Sequence, residues 1–211
     1  MTIHPDILAG YHRFRKNGWT ASRARWAELK EGQSPEVMVI SCSDSRVDPS
    51  QIFDVDPGEI FVVRNVAALV PPYEVSPGQH GVSAALEFAV QVLKVKEILV
   101  MGHGLCGGCA AALTQVMEGA EPGQGGFVQQ WIGLLDEARG PVAKAHGTET
   151  REAELAMELA AVKVSLANLM SFPFVAEKVA SGDLKLNGTH FAISDGVLRI
   201  LDQSSGDFAA A

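Results

Sequence analysis

Apolar residues gather in three short runs in the first half of the chain, at residues 37–41 (Val-Met-Val-Ile-Ser), 60–63 (Ile-Phe-Val-Val) and 98–101 (Ile-Leu-Val-Met). None of the runs alternates with polar positions, so each predicts a strand covered on both faces, as in a parallel sheet. Pro35 precedes the first run, Pro57-Gly58 the second, and Gly102 ends the third. Elsewhere the spacing becomes helical. Residues 81–94 place Val82, Leu86, Ala89 and Leu93 near helical intervals, and residues 107–118 form another helical stretch after the third run. Strand and helix alternating in this way predict βαβ units.

In the second half, a Gly-rich loop is expected at 119–126. Leu155, Leu159, Val162, Leu166 and Leu169, in steps of three and four, predict a long helix over 151–170 that Pro173 stops or restarts. Residues 190–194 and 197–201 flank Asp195-Gly196, a pattern that predicts a hairpin with a two-residue turn. At the start, 5–17 and 20–31 read as polar-rich helices separated by Gly18, the second carrying an apolar stripe of Trp19, Trp26 and Leu29. The expected fold is α/β: a mostly parallel central sheet with an antiparallel edge strand, flanked by helices, with an N-terminal helical arm. As one domain over 1–211, it divides into the arm (1–31), an α/β core (35–120), a helical segment (121–181) and terminal strands (184–202).

Composition narrows the choice of partner. Seventeen Lys and Arg stand against 25 Asp and Glu, a net charge of −8, which argues against nucleic acid or an anionic membrane. No run of about 18 apolar residues suggests a membrane span, and residues 1–10 lack the pattern of a secretory signal. Three cysteines are too few and too odd for a disulfide framework. A reducing, cytoplasmic setting is the expectation.

Those cysteines belong to the candidate chemistry. Cys42-Ser43-Asp44-Ser45-Arg46 follows the first apolar run and His103-Gly104-Leu105-Cys106 follows the third. In open α/β sheets ligands bind beyond the carboxyl ends of strands. If the two strands are neighbours, these segments converge with two thiolates, one imidazole and one carboxylate, a complete ligand set for zinc. Asp44 is a ligand that can let go, and Arg46 is a partner it can let go to. Taken singly, each residue has a plainer reading. A buried Cys is a small hydrophobe, and His103 is a hydrogen-bonded loop residue. Asp44 is a turn former, as Asp48 before Pro49 is a helix cap. Only the combination points to a metal. Cys109, one helical turn after Cys106, is a fifth candidate but reads better as a packed helix residue.

The order of C-x-D-S-R and H-x-x-C-G-G resembles the β-class carbonic anhydrases. The likeness extends over Gly32-Gln33-Ser34-Pro35, Met38-Val39-Ile40, Pro57-Gly58-Glu59, residues 61–67 (Phe-Val-Val-Arg-Asn-Val-Ala), Gly102-His103, Cys106-Gly107-Gly108 and residues 171–175 (Ser-Phe-Pro-Phe-Val). It implies that Cys42, His103 and Cys106 bind Zn2+. It implies that Asp44 either closes the site as a fourth ligand or is drawn off by Arg46, leaving room for water. Zinc in such a site lowers the pKa of water to about 7, and the resulting hydroxide attacks carbon dioxide to give bicarbonate and a proton. Asp44 and Arg46 are the implied catalytic pair, and a homodimer or tetramer is the implied assembly.

The resemblance is to the plant-like branch, in which Gln33, Phe61, Val66, Phe88 and Gly107 would line the carbon dioxide pocket across a dimer interface. The chain departs from it at three points: Phe88 where Tyr is common, Ala68 where Asn is common, and Gly104 where Ser or Thr usually follows the ligand His. A second branch carries a non-catalytic bicarbonate pocket built on a Trp, an Arg and a Tyr. Val39 and Phe191 stand at its first and last positions, so no such pocket is expected, although Arg64 is present. His80 would suit a proton shuttle with its ordinary pKa of about 6.5, but reads better as a solvated helix-start residue. Hydrolysis of carbonyl sulfide or carbon disulfide is a second enzymatic reading, and a silent structural zinc protein a third; a detachable Asp44 argues against the latter. A thiol-phosphatase loop needs a wider gap than the three residues between Cys42 and Arg46.

Overall fold

The three apolar runs become β1 (Val37–Cys42), β2 (Ile60–Asn65) and β3 (Glu97–His103). With β4 (Lys185–Phe191), β5 (Leu198–Leu201) and β6 (Phe208–Ala210) they form one sheet in the order β2-β1-β3-β4-β5-β6. The first four strands in that order are parallel, and β5 and β6 are antiparallel. Successive side chains of a strand face opposite sides. Met38 and Ile40 therefore enter one core with Leu86, Ile98 and Phe172, while Val39 enters another with Met101, Leu113 and Met157. Burial on both faces is why these runs show no polar alternation. β2 is the exception: as the edge of the sheet it is only half-buried along its length.

The helices follow the predicted spacing, with informative differences. The computed structural model describes residues 3–211. The stretch 81–94 is α-helical only as far as Glu87 and then widens to a π-helix over Phe88–Leu93, ending at Lys94 in the left-handed region. A short helix, Pro49–Ile52, is capped by Asp48, whose carboxylate accepts from Ser50 N at 2.9 Å. A helix begins directly after Cys106, at Gly107–Thr114. The long helix spans Arg151–Leu169, capped by Thr150, and Pro173 restarts a helix, Pro173–Ala180. Two helices that the sequence did not single out, Gly126–Ile132 and Asp136–His146, fill the segment after the Gly-rich loop. Pro141 sits inside the second of them.

At the end of the sheet two expectations need correcting. The predicted two-residue hairpin is wider: Asp195-Gly196 lies in a six-residue connection, 192–197, between β4 and β5. That loop is closed by Ala192 N to Val197 O at 2.9 Å and by Asp195 Oδ1 accepting from Val197 N at 2.9 Å. The Asp195 side chain bonds within the loop, and the ladder ends at Phe191 and resumes at Leu198, three residues earlier and one residue later than expected. The sheet also gains β6, a third terminal strand absent from the prediction. Its three residues are too few to show a period.

Residues up to Ser34 form a unit separate from Pro35–Ala211 by their contacts. Helices run over Pro5–Arg13, Trp19–Ala21 and Arg23–Leu29, joined by a π-helical turn at Phe14–Gly18. Gly18 does not separate two helices as expected. It is helical itself (φ −63°, ψ −53°), and the break falls at Ser22 (φ −98°, ψ 26°). A Cβ on Gly18 would lie 3.1 Å from the Phe14 ring, so this glycine serves close packing in the widened turn. The Arg15 guanidinium stacks 3.7 Å from the Trp19 ring centroid. None of the described residues of this unit is buried.

Candidate metal centre

β1 and β3 are hydrogen-bonded neighbours, with Ser41 opposite Met101. That register brings the last residues of both strands, Cys42 and His103, to the same edge. Cys106 caps the helix that follows. One donor atom from each of Cys42, His103 and Cys106 lies within 4.8 Å of the other two, and all three residues are buried. His103 Nδ1 lies 2.8 Å from the Gly104 carbonyl, which makes Nδ1 the protonated nitrogen and leaves the Nε2 lone pair free. Among the described residues Nε2 is buried with no nitrogen or oxygen partner, only the Cys42 thiol beside it. Among the described residues the Cys42 thiol is the one group this buried imidazole acceptor faces for bonding; a cation with affinity for nitrogen and sulfur satisfies all three donors together. The donor set is compatible with zinc.

The thiols themselves show the strain of sharing this space. Cys42 is pushed up to about 12 by its hydrogen bond with the Cys106 thiol and by burial. Cys106 is likewise pushed up to about 12, chiefly by its bond with Cys109 and also by burial. Cys109 is buried in the core beside them. Its contact is with Cys106, and it stands outside the converging group of three. Cys109→Ala is therefore expected to retain one zinc per chain by elemental analysis; a stoichiometric loss would make Cys109 a ligand.

Asp44 stands outside that group as well. Arg46 Nε donates to its Oδ1 at 2.9 Å and Nη2 to its Oδ2 at 2.6 Å, while the Arg46 backbone N–H also reaches Oδ1 at 2.9 Å. This is the two-pronged contact that a guanidinium makes and an ammonium cannot. The Arg46 contact holds the Asp44 carboxyl well below the usual carboxylate range. Arg46 Nη2 donates further to the Leu105 carbonyl at 3.0 Å, which ties the first motif to the second.

Arg64 turns out to be structural in a way the sequence did not reveal. Its Nε donates to the Cys42 carbonyl (2.9 Å), its Nη2 to the Asp44 carbonyl (2.6 Å) and its Nη1 to Asp48 (3.0 Å). It thus clamps the backbone of the C-x-D turn from the neighbouring strand. The available signal was the pairing of Arg64 with Ser41 across β1 and β2, which only the register discloses.

The expected pocket residues fall into separate groups. Phe61 and Phe88 stack with ring centroids 5.8 Å apart, and Phe88 is partly exposed. Val66 is exposed at the end of β2, and its carbonyl accepts from Trp131 Nε1 at 2.9 Å. Gly107 opens the helix after Cys106 with free space around its Cα. Gln33 is exposed in the N-terminal unit. His80 bonds locally to the Ser76 carbonyl at 3.0 Å, ahead of its helix. The turn after β2 is strained: Ala67 and Ala68 are buried at φ 62° and 56°, a region where Asn or Gly costs less than Ala. Asn65 braces this turn through two bonds to Leu69.

Gly108 fits where no side chain could. A Cβ there would meet Val66 Cγ1 at 2.7 Å and Ala67 Cβ at 3.0 Å. Gly108→Ala is expected to destabilise the protein by about 1–3 kcal/mol, read as a lower midpoint in urea unfolding; unchanged stability would show that the turn yields.

A family model described as carbonic anhydrase matches residues 37–198, from the first residue of β1 to the first of β5. The chain is also 36% identical to β-carbonic anhydrase 3 of Arabidopsis thaliana over 186 residues, covering 88% of this chain and 71% of that protein. The chain belongs to the β-class carbonic anhydrases. Among solved β-class structures, that of CcaA aligns with 98% of this chain and 91% of its own, at a TM-score of 0.88 and 29% identity. The two tetrameric β-carbonic anhydrases of Sordaria macrospora include a chain that aligns with 96% of this one and 99% of its own, at 0.77 and 30%. Family membership supports carbon dioxide hydration as the reaction class, and the mixed, mostly parallel sheet is the fold these carbonic anhydrases share.

Proposed function

We propose that this carbonic anhydrase binds one Zn2+ through Cys42, His103 and Cys106 and that the Asp44–Arg46 pair controls access to the fourth coordination position. The observation that carries the reading is the meeting of the three donors while both oxygens of Asp44 are engaged by Arg46. Bound zinc supplies Lewis acidity, which makes water a nucleophile near neutral pH. The protein's own groups do the rest. His103 is aimed by the Gly104 carbonyl, which fixes its tautomer. Arg46 holds Asp44 ionised, as an acceptor able to take a hydrogen bond from the reacting water and orient it. Phe61, Phe88 and Val66 offer apolar surface suited to a small nonpolar substrate, with Gly107 leaving room beside Cys106.

Tetrameric relatives favour a homo-oligomer, and two free thiols that must ligate favour a cytoplasmic, reducing setting. The test is stopped-flow carbon dioxide hydration across pH on protein of measured zinc content, beside light scattering for mass. Zinc-loaded protein that hydrates no carbon dioxide would refute the reading.

A further inference from the structure

The long helix Arg151–Leu169 carries Glu158 with its side chain almost wholly enclosed. A buried carboxylate is costly unless its oxygens are satisfied. Glu158 Oε1 accepts from the backbone N–H of Cys106 at 3.2 Å, and Oε2 lies 2.9 Å from Nε2 of His190, itself buried on β4. Among the described residues Nδ1 of His190 has no partner, so the arrangement that satisfies the carboxylate is Nε2–H donating to Oε2. A helix that packs on both cores has little need of a carboxylate here for its own stability; an apolar side chain would fill the space. What the carboxylate reaches is one particular peptide unit.

That unit is the Leu105–Cys106 peptide, and it is held at both ends. Its carbonyl accepts from Arg46 Nη2 at 3.0 Å, and its N–H donates to Glu158. A peptide is planar, so two hydrogen bonds pulling in opposite directions fix its rotation. That rotation is set by ψ of Leu105 and φ of Cys106, and it decides where the Cys106 side chain points. Leu105 stands at φ 60°, a left-handed conformation that a leucine holds only under constraint. Without its clamps the turn has a more comfortable alternative.

We infer that Glu158, held by His190, is a positioning residue for Cys106: it locks the Leu105–Cys106 peptide against the grip of Arg46, and so aims the thiolate at the metal. The inference rests on the proposed zinc site. It also joins two pairs, Asp44–Arg46 and Glu158–His190, through one peptide bond, so a change on one side is transmitted to the other.

The test compares Glu158→Ala, Glu158→Gln and Ser165→Ala. Ser165 is a second buried polar residue of the same helix, bonded to Val70 N and the Ala68 carbonyl, and serves as the structural control. Zinc affinity is measured by competition with a chromophoric chelator, and the site geometry by the thiolate charge-transfer bands of the Co2+-substituted protein. Glu158→Ala is expected to weaken zinc by about 10–100-fold and to shift the cobalt bands. Glu158→Gln keeps an oxygen for the Cys106 N–H and should stay close to wild type. Ser165→Ala should lower thermal stability with affinity and spectrum unmoved. If Glu158→Ala does not fold, Glu158→Asp, which keeps the carboxyl group but shortens the reach, takes its place with the same expectation. Wild-type affinity and an unshifted spectrum in the shortened or truncated variant would overturn the inference, as would an equal loss in Glu158→Gln. Absence of carbon dioxide hydration by the zinc-loaded wild type would instead refute the proposed function, leaving the metal measurements to decide the role of Glu158.

Discussion

Asp44→Asn is expected to keep its zinc and to lose about 100-fold or more in kcat for carbon dioxide hydration, the scale of one misplaced orienting group. The three donors that meet at the site do not include Asp44, so metal content should match wild type. The loss arises at Arg46. Its Nε and Nη2 donate to both carboxylate oxygens, and an amide would turn an NH2 toward one of these donors. The pair would splay, and the group that orients the reacting water would lose both its charge and its aim.

The pH profile separates this role from a titrating one. Asp44 has a carboxyl depressed by the Arg46 contact, so it is ionised throughout the neutral range. Its favourable contribution to stability is present above the ordinary carboxylate pKa and is lost only as pH falls through the lower folded value. An inflection near neutrality in kcat/KM therefore does not belong to Asp44. Asp44→Asn should lower the plateau and leave an inflection in place. Stopped-flow rates from pH 6 to 9 on zinc-replete variant check this; near-wild-type turnover would remove the carboxylate from the mechanism.

The second large effect concerns the metal. Cys106→Ala should weaken zinc by about 100-fold or more, since structural zinc sites bind with about 10–16 kcal/mol and each ligand carries a share of a few kcal/mol. Activity at ordinary zinc concentrations should fall with the metal content. The fold should survive, because losing one small buried group costs only about 1 kcal/mol. In the wild type, zinc affinity should fall as pH is lowered. Cys42 and Cys106 are both pushed up to about 12, so binding must displace their protons, and acid restores them. Chelator competition at several pH values measures both effects; zinc retained by Cys106→Ala at wild-type affinity would take this thiol out of the ligand set.

How much of this was legible beforehand depends on the range of the interaction concerned. The strand runs, the long helix and the restart at Pro173 are written in local apolar spacing and in proline chemistry, and they appear where expected. Gly18 departs from expectation because a glycine looks like a breaker in sequence, whereas here its missing side chain makes room for Phe14. The Asp195-Gly196 turn was misread because a two-residue hairpin signal does not disclose that the Asp195 side chain will bond to Val197. The departure at Ala68 is visible in sequence, but its consequence, a buried alanine held at positive φ, is visible only in the backbone.

Residue type and short spacing were enough for the alternation of strand and helix, for the four candidate donors Cys42, Asp44, His103 and Cys106, and for the nearness of Arg46 to Asp44. The folded chain supplies the rest: which strands are neighbours, that three donors meet while Asp44 turns to Arg46, that Arg64 clamps the C-x-D turn, and that Glu158 reaches Cys106 from 52 residues away. The reason is physical: a buried carboxylate or guanidinium is directed by partners that strand register and helix packing bring to it, and no local pattern of residues encodes them.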